Sequence, residues 1–486
     1  MDSFGYKWYP YFDQENRAFE SCSLVENPTR LEPTRQKEDA FWSGADFGVV
    51  RTYRDSLHWV FQDAESTFAC SGEDFVACHG KRVVLTVPNE KITSGTRRRW
   101  GDEQSWVTPM RDGVPMEEQC DFHVTAKTIF LKPDSHANFY HAMCDFANLY
   151  LTLHLLDWVH IDAVEREDFT FGVQHSFVDL EIRMWSDLAR NFRSSYLDLF
   201  KSFSPNAPVM SVGELKGKRV CYDEMALSMN PRGSVPNFFF SMAVPGRLAP
   251  VGVSGTEKAK YDITCRHSGF FRSFLEFITR GNPVLWKFAP ALQARSPPSD
   301  VPIKVLVLSR SGGTGTTSGT RKLLNEGDVV QAVRNKYPAS RVQIDIADFD
   351  VSARVPFVNQ AESVMSADVL VGMHGAGLTH MLFLPRWGSV VEVFDCEDLC
   401  YSDLARLSGL EYYSGKSEDV EAFEPQVEVA ESSRGSRKFR DYKVDVDAAV
   451  RFIEDAMRSV VEHPLFPKDT SRHGDMFHSS TIRDEL

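Results

Sequence analysis

Between Ile303 and Gly409 short apolar runs alternate with helical patterns, and no other feature of the chain constrains its fold as tightly. IKVLVLS reads as a strand, EGDVVQAVRNKY as a helix, RVQIDIA as a strand and NQAESVMSA as a helix. DVLVGMH, GLTHMLFLP, SVVEVF and CYSDLARLSG continue as strand, short helix, strand and helix. Strands that alternate with helices in this way predict an α/β fold with a parallel, doubly wound sheet. Such sheets take ligands at the carboxyl ends of their strands. Arg310, His374 and Glu392 fall at or just beyond three of those ends.

The loop after the first of these strands, SRSGGTGTTSGTRKLLN, resembles a phosphate loop but fits neither familiar form. A P-loop needs two glycines five apart, then Lys and a hydroxyl residue. Here Gly315 and Gly319 are four apart, and Lys322 is followed by Leu323. A dinucleotide fingerprint on Gly313 and Gly315 would have Ser318 at its third small position. The glycines read as a flexible insertion. The flanking cations Arg310, Arg321 and Lys322 are a different matter, because guanidinium forks suit a diphosphate.

GMHGAGLTHMLFLP sets His374 between Gly372 and Gly375, with Gly377 opening a helix. Glycines at a strand-to-helix turn let backbone N–H groups approach a phosphate. Taken alone, His374 suits a tight turn with a structural histidine; taken with Arg310 and Arg321, it suits a diphosphate site. Glu392 suits a ribose, whose two hydroxyls a carboxylate can accept; the plainer alternative is a strand-end glutamate facing water.

Upstream, NFYHAMCDFANLYLTLHLL predicts a helix over 138–156. Asn138, His141 and Asp145 are spaced to share one of its faces. Together they could orient a hydroxyl and take its proton. A capped helix start with a buried, hydrogen-bonded pair explains the same spacing. KRVVLTV and KRVCYDEMAL read as strands, and the first 120 residues as aromatic and irregular, with Cys70 and Cys78 closing a short loop. NPVLWKFAPALQARSPPSDVP is proline-rich, so the domain boundary is expected near 290–302.

A chain of 486 residues implies more than one domain. Its net charge of −14 argues against nucleic acid, and no apolar run is long enough to span a membrane. The N-terminus lacks the pattern of a secretory leader. The last four residues, Arg483, Asp484, Glu485 and Leu486, nevertheless form a close variant of the ER-retention tetrapeptide. Nine cysteines suit an oxidising compartment, and no Asn-x-Ser/Thr sequon is present. Cys396 and Cys400 lack the spacing of a zinc site.

GMHGAGLTHMLFLP, VVEVFDCEDLCYSDLARLSGLEYY, NFYHAMCDFANLY, KRVCYDEM, TGTRKLLN, ADFG, HPLFP and the terminal RDEL resemble glycosyltransferase family 61, in its branch acting on EGF-like domains. The resemblance covers roughly residues 40–486 and is strongest from 300 to 415. It implies a GT-B fold, two facing Rossmann-like domains with an aromatic, cysteine-containing N-terminal extension. The expected division is an extension at 1–120 and an acceptor domain at 121–295. A nucleotide-sugar domain at 296–465 and a polar tail at 466–486 would complete it. The resemblance implies inverting transfer of N-acetylglucosamine from UDP-GlcNAc to Ser or Thr hydroxyls of folded EGF repeats in the ER lumen. Partners would be Notch-like receptors, extracellular matrix proteins and an ER-retrieval receptor. The family pattern assigns Asn138, His141 and Asp145 to catalysis. It assigns Arg310, Arg321, Lys322, His374, Gly375, Gly377 and Glu392 to the donor.

Two departures stand out. Ten residues, Ser311 to Thr320, separate the two arginines where the family has only a few. An Asp-x-Asp-like element expected before the KRVC strand is replaced by Asn206 and Pro208. No metal ligands are therefore assigned, and dependence on Mn or Mg is left open. Arg side chains and a helix N-terminus can stabilise a leaving UDP instead. The alternatives are a family member with another acceptor or sugar, such as O-mannosyl glycans or xylose, and an inactive lumenal lectin or folding helper on the same scaffold.

Overall fold

The computed structural model describes residues 24–26, 56–71, 77–90, 92, 100, 103–133, 138–165, 171–177, 180–185, 196–204, 209–229, 261–263, 274–275, 277–279, 282, 285, 302–310, 321–349, 355–394, 396, 400–425, 437–463 and 466. The chain divides into two compact units, Met1–Pro283 and Val284–Leu486. Asn206, Pro208, the Ser311–Thr320 insertion and the Arg483–Leu486 tetrapeptide lie outside the described residues.

The first unit is built on a nine-stranded mixed sheet. Its strands are β1 (Leu57–Gln62), β2 (Thr67–Ser71), β3 (Cys78–Thr86), β4 (Val107–Pro109), β5 (Phe122–Val124), β6 (Lys127–Leu131), β7 (Leu180–Met184), β8 (Met210–Ser211) and β9 (Arg219–Leu227). The order is β8-β7-β6-β9-β3-β2-β1, with β4 on β3 and β5 on β9. From β8 to β9 the pairing is parallel; from β9 onward it is antiparallel.

That pairing corrects the expectation of an irregular N-terminal extension. β3 runs beside β9 from Arg219↔Thr86 to Leu227↔Cys78, so β1 to β4 complete the same sheet. A Rossmann-like description fits only the parallel half. Cys70 and Cys78 are bonded, as the short loop suggested, and are register partners across β2 and β3. A second disulfide, Cys120–Cys221, ties β9 to the chain entering β5. Phe130, Trp185 and Tyr222 pack edge to face in the core under this sheet.

Helix α1 (Phe139–Leu155) follows β6 and matches its expected span. It is apolar on most sides because Phe139, Met143, Phe146, Leu149, Tyr150 and Leu153 are all buried. No described helix is long and apolar enough to cross a membrane.

The second unit is a five-stranded, wholly parallel sheet. Its strands are β10 (Ile303–Ser309), β11 (Val342–Asp348), β12 (Val369–Gly372), β13 (Ser389–Glu392) and β14 (Glu411–Ser414), in the order β11-β10-β12-β13-β14. Helices α2 (Glu326–Lys336), α3 (Phe357–Met365) and α4 (Cys400–Leu407) alternate with them. A 3-10 helix, Ala376–Phe383, stands where the sequence pattern placed a short helix. Val305, Val307, Val369, Val371 and Val391 pack with Val333 of α2 and with Ile453 and Met457 of a last helix, α5 (Val446–Glu462). The alternate positions Leu306, Leu308, Leu370 and Val390 are buried as well, as a sheet covered on both sides requires. Chain order along this sheet is 2-1-3-4-5, which reverses direction between β10 and β12 and opens the crevice where such sheets bind ligands.

Candidate functional site

The crevice between β10 and β12 brings together the residues expected at the strand ends. Leu308 pairs with Gly372, so Arg310 and His374 leave adjacent strands side by side. Arg310 Nη1 donates to the His374 carbonyl at 3.4 Å. It also passes so close to Gly375 that a Cβ built there would lie 2.0 Å from Nη1. A side chain at 375 would have to push that guanidinium aside, and the backbone there, at φ 157°, is one that side chains rarely adopt, so glycine is favoured. Gly377 has more room, since a Cβ there would meet Leu308 Cδ1 at 3.5 Å. Its value is in opening the helix Ala376–Phe383, whose first turn closes with Leu378 N donating to Gly375 O.

His374 is buried, 4% exposed. Its Nδ1 lies 2.8 Å from Oε1 of Glu392, and the Tyr401 ring packs edge-on at 5.0 Å. Glu392 is 0% exposed, so it is not a strand-end glutamate facing water. Its second oxygen accepts from Tyr412 OH at 2.5 Å.

Arg321 is held by a strand that sequence reading did not find. Residues 321–325 run beside a short strand, β16 (Asp441–Val444), which pairs antiparallel with β15 (Val420–Phe423). Arg321 N donates to Arg440 O at 2.9 Å, and Tyr442 N to Lys322 O at 2.9 Å. Lys322 N donates to the buried Asp441 carboxylate at 2.9 Å, and Asn325 exchanges two hydrogen bonds with Val444. Arg321 sits at φ 61°, a strained backbone for a non-glycine residue. Its Nε is buried with no partner among the described residues. A buried donor left without an acceptor is costly, and an incoming anion would remove the cost.

In the first unit Asn138, His141 and Asp145 do start one helix face. Asn138 is the N-cap of α1, and its side chain accepts from His141 N at 3.4 Å. Its amide is thus engaged by the helix end, as a capping residue's should be. His141 and Asp145 are half-buried one turn apart. The polar face continues through Asn148 and Thr152, which the sequence reading passed over. Thr152 Oγ1 donates to Asn148 O at 2.7 Å and accepts from Met229 N at 2.8 Å, tying the helix to the exit of β9. The 3–4 spacing running on from Asp145 to Asn148 and from Asn148 to Thr152 was the signal that could have found them.

Lys132, at the end of β6, was also missed. It is 6% exposed, bonds Glu103 at 2.5 Å and lies 4.4 Å above the Trp100 ring. A buried lysine with a carboxylate partner directly after a parallel strand is a functional-site signal in its own right. Among the described residues no cluster of three or more His, Cys, Asp or Glu side chains could hold a metal.

Topology and site together define the class: a doubly wound α/β protein whose ligand end is lined by glycine, arginine and a buried histidine. The family profile described as Glycosyltransferase 61 matches residues 139–391, and the chain belongs to that family of glycosyltransferases. A relative in Drosophila melanogaster, EGF domain-specific O-linked N-acetylglucosamine transferase, is 31% identical over 84% of this chain and 67% of its own length. Proteins of the same name from Pan troglodytes and Gallus gallus are each 28% identical, covering 88% and 93% of this chain and 77% and 80% of their own.

Proposed function

We propose that this protein transfers N-acetylglucosamine from UDP-GlcNAc to Ser or Thr hydroxyls of folded EGF-like domains, with inversion, in the ER lumen. The observation that carries the reading is the cradle at the β10–β12 crevice, where Arg310, Gly375 and His374 are packed against one another and Arg321 has a buried Nε without a partner among the described residues. Guanidinium groups and backbone N–H groups at a helix start are what a diphosphate needs while negative charge grows on the leaving UDP. The family resemblance assigns Lys322 and Gly377 to the same donor site. The names of the relatives supply the sugar and the acceptor class.

The acceptor chemistry is assigned to α1. Asp145 takes the hydroxyl proton in a single in-line displacement, His141 orients the acceptor, and Asn138 fixes the helix start that presents both. The reading includes a GT-B fold, as the family resemblance implies. Two disulfides agree with an oxidising lumen, and the Arg483–Leu486 tetrapeptide would return the protein there through its retrieval receptor. Incubation with UDP-GlcNAc and a folded EGF repeat, followed by intact-mass spectrometry, tests the reading. A gain of one N-acetylhexosamine on the repeat is expected. Transfer to an O-mannosyl glycan or a xylan acceptor instead, or of another sugar, would place the chain elsewhere in the family.

A further inference from the structure

The buried carboxylate of Glu392 stands between two groups on different elements. His374 leaves β12, Glu392 ends β13, and Tyr412 lies on β14, three adjacent parallel strands. Gly372 pairs with Glu392 in register, so His374 is carried just past it; Val390 pairs with Tyr412 on the far side. The distances are 2.8 Å from Nδ1 to Oε1 and 2.5 Å from the tyrosine hydroxyl to Oε2. A carboxylate at 0% exposure is expensive unless both oxygens are satisfied, and here both are.

We propose that Tyr412 and Glu392 form a buried relay that keeps a proton on Nδ1 of His374 and sets how readily the ring takes a second one, so that donor binding depends on pH through this imidazole. Glu392 and Tyr412 are then positioning residues that act through His374. A carboxylate accepts hydrogen bonds only, so Nδ1 is the nitrogen that must carry hydrogen. The negative charge beside it favours the imidazolium, whose Nε2 is then a donor suited to a phosphate. The tyrosine moderates this, because a hydrogen bond into the carboxylate spreads its charge.

Two further groups from other elements meet His374 among the described residues. Tyr401 packs against it from α4, and Arg310 reaches its carbonyl from the end of β10. The Tyr401 hydroxyl is pushed far up by burial, with Cys400 and Glu392 adding to the rise and Arg321 and Arg310 opposing it, so it stays neutral. Among the charged groups named here, Glu392 is the one in direct hydrogen-bond contact with the ring.

The relay itself is independent of the proposed reaction; its effect on donor binding rests on that reading. The test uses the full chain labelled at histidine with nitrogen-15, the His374 signal being identified by its loss in His374→Gln. In ligand-free wild type the Nδ1–H tautomer is expected. Glu392→Gln should lower the midpoint of His374 by about one unit or more, and Tyr412→Phe should raise it. UDP calorimetry across about pH 5.5 to 8.5 should follow, with ~10-fold weaker binding of Glu392→Gln near neutral pH and recovery at the acid end. An Nε2–H tautomer in wild type, or an unchanged midpoint in the variants, overturns the relay. If Glu392→Gln does not fold, Tyr412→Phe decides alone. Unweakened UDP binding in Arg310→Ala would instead remove the donor reading and leave the histidine titration to be judged separately.

Discussion

The two units place their candidate groups at the ends of parallel strands by different means. In the second, the backbone sets where the Arg310, His374 and Arg321 side chains stand: a strand-order reversal, a glycine at 375 against which the Arg310 guanidinium lies, and a strand, β16, that grips the segment bearing Arg321. In the first, the candidate groups are side chains on one helix, and the sheet beneath is parallel on one flank only. A backbone-built cradle loses affinity when one contact is removed. A pair of side chains on a helix can lose the whole chemical step with a single atom change.

The first prediction breaks the comparison at its largest expected effect. Asp145→Asn preserves shape and hydrogen bonding while removing basicity. It should lower kcat by ~10²–10⁴-fold and leave UDP affinity nearly unchanged. His141→Gln should cost less. Single-turnover rates beside UDP calorimetry make the measurement. If Asp145→Asn turns over normally while His141→Gln is dead, the two roles exchange.

In the second unit the signature should be the reverse. Arg310→Ala or Arg321→Ala removes a charge-assisted contact of roughly 1.5–3 kcal/mol, so UDP binding weakens by about ten- to a hundredfold. Gly375→Ala should weaken it too, because its Cβ would have to displace the Arg310 guanidinium. Unchanged UDP affinity in both arginine variants would put the phosphates elsewhere.

Acid should separate the units as well. His380 is buried against Gly377 and Gln360, and burial lowers its pKa to about 4. The unfolded chain protonates this histidine near pH 6.5, whereas the folded one resists until about 4. The second unit therefore loses stability as pH falls through that window, by on the order of 3 kcal/mol. In the first unit burial raises the Glu224 pKa, but the hydrogen bond and charge of His79, with Lys127 and Lys81, outweigh it and hold the carboxyl at about 2. Its contribution is full above 4.5 and fades only toward 2. Hydrogen exchange read by mass spectrometry at falling pH should show the second unit opening first. Simultaneous opening, or no effect of His380→Gln on the order, would remove His380 as the cause.

The difference between the units also decided what could be read from sequence. β10 was legible to the residue, because a strand buried on both faces is a continuous apolar run with nothing to confuse it. The cradle followed from it, since Arg310 and His374 need only the strand ends to be located. β1 and β2 were not legible: LHWVFQ exposes Trp59 at 56% on an edge strand and has a register shift between Trp59 and Phe61. Helix α5 was passed over although VDAAVRFIEDAMRSVVE has the 3.6 period and Asp445 caps it. The partners of Glu392 and of Arg321 could not be seen at all. Tyr412 lies 20 residues from Glu392 and Arg440 lies 119 from Arg321, and only pairing in space brings them in.

The smallest expected effect concerns the ten residues between the arginines. Their glycines could close over a bound donor or could be mere length. The structure favours length through what holds Arg321. Its own N–H is bonded to Arg440, its neighbour Lys322 to Asp441 and Tyr442, and Leu324 to Tyr442. Those bonds come from β16 and its approach, so they fix the second arginine from its C-terminal side, whatever precedes it. Arg310 is fixed separately by the end of β10 and by Gly375. A loop whose two ends are set independently contributes mainly closure entropy, which changes slowly with length. Deleting Gly312 to Thr317 should therefore shift UDP affinity and kcat by less than about threefold. The contrast that sharpens the point is Asp441→Ala, which cuts the anchor and leaves the loop whole; it should weaken UDP binding more than the deletion does. If the deletion abolishes turnover in a folded protein while Asp441→Ala is silent, the insertion itself is part of the donor site and β16 is only scaffold.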